Sequence, residues 1–307
     1  MSARLRIGTR SSPLALAQTE LAVRALRRGR APLAVEIVPL QTSGDRTRRA
    51  HRELDFTDEI TRRLKDGTVD LGVHSAKDLP ARSGRSTYVA AYLPRSDPRD
   101  CVILRRRGTL QRLPRGARIG SSSLRRRAQL LALRPDFEVV PIRGNVGTRL
   151  ERMGTDGLDG LVLAAAGLRR LGWARRISQY LPTTTWLPAP GQGAIAIEIR
   201  RGDGSLRSKL AAIDHRPTRT AVDSERAVIR TLGGDCDLPL GAFAKRRTAR
   251  RLQLQAALFS SDGRWRLTAQ GSGPPARAER IGAEVGHALL AFGDPERLVR
   301  SGSATGP

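Results

Sequence analysis

Two arginine-bearing segments lie near the middle of the chain, Gly120-Ser-Ser-Ser-Leu-Arg-Arg-Arg127 and Arg143-Gly-Asn-Val-Gly-Thr-Arg149. Each sets guanidinium groups beside glycine or small hydroxyl residues, where little side-chain bulk keeps a ligand from the backbone. A guanidinium fork binds carboxylate or phosphate through parallel hydrogen bonds, so several of them on short loops point to a polyanionic small molecule. Two other segments carry reactive groups. Lys77 and Asp78 follow an apolar run in Val73-His-Ser-Ala-Lys-Asp-Leu-Pro80, and residues on loops at strand ends often carry function. Cys236 lies between Gly233-Gly234 and Pro239, a loop setting, whereas Cys101 opens an apolar strand and reads as a small buried hydrophobe.

The formal net charge of +26 invites a plainer reading, a solvated basic surface or a nucleic-acid binder. Only 4% of residues are aromatic, so platforms for base stacking are sparse. Zinc-finger spacing, an RNP-like motif and a basic zipper are all missing, and no nucleic-acid partner is expected. The two cysteines, Cys101 and Cys236, stand far apart and outside any CxxC pattern. A disulfide framework and a tetrahedral zinc site are therefore not expected, and a reducing cytoplasm is. No apolar run is long enough for a signal peptide or a bilayer span.

The elements that must hold these residues alternate between strand and helix. Residues 5–7 read as a strand, and Ser12 with Pro13 suits a helix start. Leu14, Ala17, Leu21 and Ala25 then repeat at helical spacing. Strands are expected at 33–40, 69–73, 101–104, 118–119, 137–142 and 161–165, most followed by small residues and a helical stretch. This rhythm predicts an α/β architecture. The last ninety or so residues differ: helices at 218–232 and 276–291 flank strands 252–259 and 265–270, joined by a turn at Ser261-Asp262-Gly263. That pattern fits a small α+β domain.

Taken in order, these motifs resemble the porphobilinogen deaminase (hydroxymethylbilane synthase) family. The resemblance rests on Gly8-Thr-Arg-Ser-Ser-Pro-Leu-Ala-Leu-Ala-Gln18, Val73 to Pro80, Asp97-Pro-Arg-Asp100, both arginine segments, Leu187-Pro-Ala-Pro-Gly-Gln-Gly193 and Asp235-Cys-Asp-Leu-Pro-Leu-Gly241. It implies two similar domains hinged as in type II periplasmic binding proteins, plus the α+β C-terminal domain. Domain 1 would hold residues 4–94 with 194–213, domain 2 residues 98–190, and domain 3 residues 216–300. Pro-rich stretches at 94–98 and 182–190 fall where the chain would cross.

The resemblance also implies the chemistry. Four porphobilinogen molecules would be joined head-to-tail with loss of ammonia, giving 1-hydroxymethylbilane for tetrapyrrole (heme) biosynthesis. Cys236 would carry a dipyrromethane cofactor through a thioether, a sensible fate for a soft thiolate meeting an electrophilic methylene-pyrrole. Asp78 would stabilise the azafulvene cation left when ammonia departs and help move protons, with Lys77 paired to substrate carboxylates. Each pyrrole carries an acetate and a propionate. Arg125, Arg126, Ser123 and Lys77 are implied to hold the cofactor's carboxylates, and Arg10, Ser12, Gln18, Arg143, Arg149 and Arg170 the substrate's. Arg127 and Arg169 have weaker claims, and His51, His215 and His287 receive no role. The family further implies a cytoplasmic monomer, outside any membrane, whose product passes to uroporphyrinogen-III synthase.

Two departures stand out. Asp235 replaces the glycine that usually precedes the cysteine, and residues 46–55 are an arginine-rich stretch where the family has a longer glycine-rich lid with a lysine. The sequence therefore leaves open a deaminase, a divergent paralogue making a shorter or different pyrrole oligomer, and a non-enzymatic polyanion or nucleic-acid binder.

Overall fold

The first strand, β1 (Leu5–Arg10), rises through the core at Ile7 and stops where Ser12 caps α1 (Pro13–Arg27). Ser12 Oγ accepts from the Ala15 amide at 3.3 Å, satisfying one of the orphan donors of the first turn. This computed structural model describes residues 4–28, 34–41, 57–82, 84–233 and 238–293. The chain divides into two units, Met1–Ser96 with Ala194–Arg219, and Asp97–Gly193 with Thr220–Pro307.

The first unit contains, besides β1 and α1, strands β2 (Val35–Leu40), β3 (Leu71–Ser75), β4 (Thr87–Tyr92) and β10 (Ile195–Arg200), with helices α2 (Asp58–Lys65) and α6 (Gly204–Ala211); numbers run along the chain. Sheet order is β2-β1-β3-β10-β4. β1 pairs in parallel with β2 and β3, whereas β10 runs antiparallel between β3 and β4. Ile7, Leu71, Val73, Ile195 and Ile197 meet Ala22, Val23 and Leu26 of α1 in one core. Each large apolar side chain buried there is worth roughly 1.5–3 kcal/mol.

The buried face of α1 is Ala15, Gln18, Thr19, Ala22, Val23 and Leu26. The expected stripe of Leu14, Ala17, Leu21 and Ala25 is only half-buried, at the rim of that face. Two polar residues on the inner face hide the true pattern. Thr19 Oγ1 donates to the Ala15 carbonyl at 3.0 Å, and Gln18 is spent on a side-chain partner described below.

The Asp97–Gly193 part of the second unit repeats the plan. Its strands are β5 (Asp100–Leu104), β6 (Arg118–Gly120), β7 (Glu138–Val140), β8 (Gly160–Ala164) and β9 (Gln179–Tyr180), and its helices α3 (Leu124–Leu133), α4 (Val146–Thr155) and α5 (Ala165–Arg170). Sheet order is β7-β6-β8-β5-β9, with β6 parallel to both neighbours and β5 antiparallel to β8 and β9. Each sheet is thus a parallel triplet extended by an antiparallel strand and by a fifth strand paired antiparallel to that one. The first unit and this part of the second share the plan, as two similar domains should.

The C-terminal segment forms its own antiparallel sheet, β11 (Leu240–Thr248), β12 (Arg251–Phe259) and β13 (Arg266–Gly273), covered by α8 (Ala278–Leu290) and by the latter part of α7 (Arg216–Leu232). The turn at Ser261-Asp262-Gly263 joins β12 to β13, with Gly263 at φ 74°. Among the described residues no helix is long and apolar enough to cross a membrane, and no cluster of His, Cys, Asp and Glu could hold a metal ion.

Candidate functional site

Arg10, Ser12, Lys77, Asp78, Ser123, Arg125, Arg126 and Arg143 lie at or shortly after the carboxyl end of a parallel strand, whereas Gln18, Arg149 and Arg170 sit farther along the helices that follow. In open α/β sheets the carboxyl end is the edge where ligands bind. In the first unit, Arg10 ends β1 and Ser12 follows it. Gln18, one and a half turns into α1, is buried and donates through Nε2 to Ser75 Oγ at 2.8 Å. That bond ties α1 to the last residue of β3. The chain then makes a single 3₁₀ turn, Ala76–Asp78, whose Ala76 amide donates to the Ala194 carbonyl at 3.0 Å. Ala76 and Leu79 are buried and anchor the turn, while Lys77 and Asp78 are left half-buried at its rim. The alternation is what presents a cation and a carboxylate side by side at a strand end.

Behind this rim sits a buried polar pair that the sequence reading passed over. His74 Nε2 lies 3.0 Å from Glu198 Oε2, with both side chains almost fully enclosed. The contact falls short of the geometry of an aligned hydrogen bond. Burial pushes the Glu198 carboxyl up, but His74, Thr87 and Thr61 override it and hold the group below its usual range. The available signal was a histidine and a glutamate in otherwise apolar strands.

In the second unit, the loop after β6 carries Ser121–Ser123 into α3. Ser123 Oγ caps the helix by accepting from the Arg126 amide at 3.4 Å, and Ser122 Oγ donates to the Ile142 carbonyl at 2.8 Å, stitching the loops after β6 and β7 together. Arg125 and Arg126 turn inward. Arg125 Nη1 donates to Asp100 Oδ2 at 2.8 Å and to the Leu187 carbonyl at 2.6 Å. Arg126 Nη2 donates to Asp100 Oδ1 at 2.7 Å, with its Nη1 on the Val162 carbonyl at 3.1 Å. Trp186 Nε1 and Gln192 Nε2 donate to the same carboxylate at 2.8 and 2.9 Å. Asp100 is 0% exposed; burial alone would raise its pKa, yet the two guanidinium groups hold it far below the usual carboxylate range. One carboxylate thus engages both arginines that the resemblance assigned to the cofactor.

The remaining arginines are differently placed. Arg143 follows β7 and is half-buried; Arg149, on α4, donates through Nε to the Gly144 carbonyl at 2.8 Å, and Asn145 caps that helix. Gly144, at φ 109°, makes the turn between them. Arg170 ends α5. Its Nη2 donates to the Gly193 carbonyl at 2.7 Å, its Nε is buried without a partner, and no described carboxylate pairs with it. Burial accordingly lowers its pKa to about 10, still well above neutrality. Arg127 and Arg169 are exposed.

Cys101 is 0% exposed on β5 and donates to the Leu163 carbonyl at 3.5 Å. Burial first, then Asp100 beside it, pushes its thiol up to about 12, so it is an inert core residue, as its apolar setting suggested. Cys236, Asp235 and residues 46–55 lie outside the described residues.

Comparison with known proteins covers nearly the whole chain. Residues 5–208 match the profile described as porphobilinogen deaminase, dipyromethane cofactor binding domain, and residues 219–291 match porphobilinogen deaminase, C-terminal domain. The porphobilinogen deaminase of Alkaliphilus metalliredigens is 42% identical over 301 residues, covering 96% of this chain and 94% of its own. That of Xanthomonas campestris is 43% identical over 302 residues, covering 96% and 98%, and that of Thermus thermophilus 41% over 294 residues, again covering 96% and 98%. Among solved structures, a TRAP periplasmic solute binding protein from Desulfovibrio salexigens aligns at a TM-score of 0.42 and 12% identity, covering 70% of this chain and 73% of that one.

Proposed function

The chain belongs to the porphobilinogen deaminase family, and on that premise we propose that the strand-end residues described above carry out the deaminase reaction. The enzyme is a transferase that joins four porphobilinogen molecules with release of ammonia, giving 1-hydroxymethylbilane. The family matches and full-length relatives support this reading over a non-enzymatic polyanion binder. One structural observation supports it most directly. Arg170 is a partly buried guanidinium with an unpartnered Nε and no described counter-ion, a costly arrangement that an incoming carboxylate relieves.

The residues present fit the dipyrromethane cofactor that the family carries. A group bearing four carboxylates suits the positive field of Arg125 and Arg126 and the capped helix N-terminus at Ser123, with Arg143, Arg149 and Arg170 assigned to the substrate's carboxylates. Bound through a thioether to Cys236, the cofactor supplies the nucleophilic pyrrole carbon from which the chain grows. Arg125 and Arg126, sharing one Asp100 carboxylate, form a unit of net +1. They contribute a positive field and a rigid loop base rather than two free forks.

Asp78 stabilises the cation that forms on porphobilinogen as ammonia leaves, and it takes part in proton movement at the pyrrole nitrogen. Lys77 binds carboxylates of the cofactor and of the substrate, Arg10 and Ser12 bind acidic substituents of the substrate, and Gln18 holds Ser75 in place. The protein acts as a cytoplasmic monomer and passes its product to uroporphyrinogen-III synthase.

Denatured intact mass tests the reading. Protein from a host that makes porphobilinogen should exceed its sequence mass by one dipyrromethane, and Cys236→Ser should remove that excess along with activity. Cys101, with its thiol raised to about 12, cannot substitute as the anchor. A fully active wild type without the added mass would defeat the assignment.

A further inference from the structure

The C-terminal sheet ends in a hairpin joining β11 to β12, and it carries Lys245, Arg246, Arg247, Arg250 and Arg251, all exposed. The acids between residues 238 and 293 are Asp262, Glu279 and Glu284. Each is engaged elsewhere, with Arg264, Arg230 and Arg280 respectively. The hairpin cations touch neutral groups: Arg246 Nη2 donates to the Ala249 carbonyl at 2.6 Å, Arg247 Nε to Gln253 Oε1 at 2.7 Å, and Arg251 Nη2 to Ser272 Oγ at 3.0 Å. Among the described residues, no carboxylate pairs with any of the five.

Register fixes which of them share a face. Lys245 lies opposite Gln253, which lies opposite Ser272. Ala244, Leu252 and Leu254 alternate with these and point into the core beneath α8. Lys245, Arg247, Arg251, Gln253 and Ser272 therefore form one continuous patch on the outer face. Adjacent strands are about 4.8 Å apart and alternate residues about 7 Å apart along a strand, so the charges stand on a fine, rigid grid.

The composition of the patch narrows its occupant. The guanidinium forks of Arg247 and Arg251 match paired oxygens such as those of phosphate. Gln253 and Ser272 add neutral donors of the kind that contact phosphodiester oxygens. The exposed large hydrophobics among the described residues are Ile37, Leu124, Leu133 and Phe292, none of them on the hairpin. A protein interface needs an apolar or aromatic anchor, insertion into a lipid surface needs an apolar wedge, and single strands need stacking platforms. The hairpin offers none of these. We propose that it is a binding surface for the phosphodiester backbone of double-stranded nucleic acid, read without regard to sequence. This function is additional to the deaminase reaction and independent of it. The missing recognition motifs exclude base reading; they leave backbone binding open, and a chain of net charge +26 favours it.

The test is fluorescence anisotropy of the intact enzyme with a labelled duplex of about 20 base pairs, titrated across ionic strength. The variant K245Q/R246Q/R247Q/R250Q/R251Q should bind at least tenfold more weakly at roughly 0.1 M salt, and its slope of log K against log salt should be shallower by about 3, at about 0.9 for each phosphate that Lys245, Arg247 and Arg251 no longer neutralise. The control R105Q/R106Q/R107Q/R112Q/R115Q removes the same charge from exposed positions elsewhere in the chain, and it should change the slope by less than about 1. Porphobilinogen turnover at the wild-type rate in both variants verifies that they fold. The proposal is overturned if the two variants lose affinity equally, since a diffuse field would then suffice. It is overturned as well if the wild type fails to bind the duplex, or if vesicles of phosphatidylserine and phosphatidylcholine bind the hairpin in preference to it.

Discussion

Asp100 is fully enclosed and accepts hydrogen bonds from Arg125, Arg126, Trp186 and Gln192. Removing its charge strands two guanidinium groups in a dry site, so Asp100→Asn should destabilise the protein by about 3–5 kcal/mol in urea unfolding. The pH dependence follows from the depressed carboxyl. Its stabilisation is complete above the unfolded value near 3.9 and is lost as pH falls below it toward the folded one. The wild type should therefore lose stability below about pH 4, with Asp100→Asn markedly flatter there. Asp78 tests a different property. Asp78→Asn keeps size and hydrogen bonding but removes the charge facing the developing cation, so turnover should drop about a hundredfold or more while KM moves little. Turnover at the wild-type rate would remove Asp78 from the mechanism. The sequence showed which residue types cluster here, but not that Arg125 and Arg126 have an internal counter-ion. Asp100 lies in another motif, and only the pairing of β5 with β8 brings it beneath α3.

At the scale of elements, two glycines separate backbone strain from crowding. Gly67 and Gly263 have nearly the same φ, 75° and 74°. A Cβ on Gly67 would meet nothing within 4 Å, whereas one on Gly263 would stand 2.5 Å from the Ala128 carbonyl and 2.6 Å from the Ala132 amide of α3. Gly67→Ala should cost only the left-handed backbone penalty, about 1–2 kcal/mol. Gly263→Ala adds crowding against rigid backbone and should cost roughly 1–3 kcal/mol more, read as the difference in unfolding midpoints. Equal losses would mean that the turn moves freely away from α3. The turn itself was legible as Ser261-Asp262-Gly263, because its chemistry is local. β10 was not, except through family resemblance: its place between β3 and β4 is set by contacts more than a hundred residues apart. The inner face of α1 was misread for a related reason, since Gln18 is buried only because Ser75 awaits it.

For the molecule as a whole, the net charge of +26 acts on every encounter with an acidic substrate. Charge attraction raises association rates and is screened by salt, with a Debye length near 10 Å at about 0.1 M. Raising ionic strength from about 0.01 to 0.3 M should therefore lower kcat/KM for porphobilinogen several-fold while kcat stays constant. A kcat that falls in step would place the salt effect on the chemical step instead. Alternating strands and helices made the α/β class readable, and the strand-end motifs made the candidate residues readable. The sequence hid the partners, because Asp100 meets Arg125 and Arg126, and Glu198 meets His74, only through segments distant in the chain.

The antiparallel strand in each sheet also sets a timetable for synthesis. The second unit's sheet has all its strands once residue 180 has been made. The first unit began earlier but must wait for β10 at Ile195–Arg200, which separates β3 from β4. At 5–20 residues per second, the chain from β4 to β10 takes roughly 5–20 s to emerge. Throughout that interval β3 and β4 each lack a neighbour, and an unpaired strand invites the wrong one. The oldest part of the nascent protein is thus among the last to close, and the loop bearing Lys77 and Asp78 is set only when Ala76 finds Ala194.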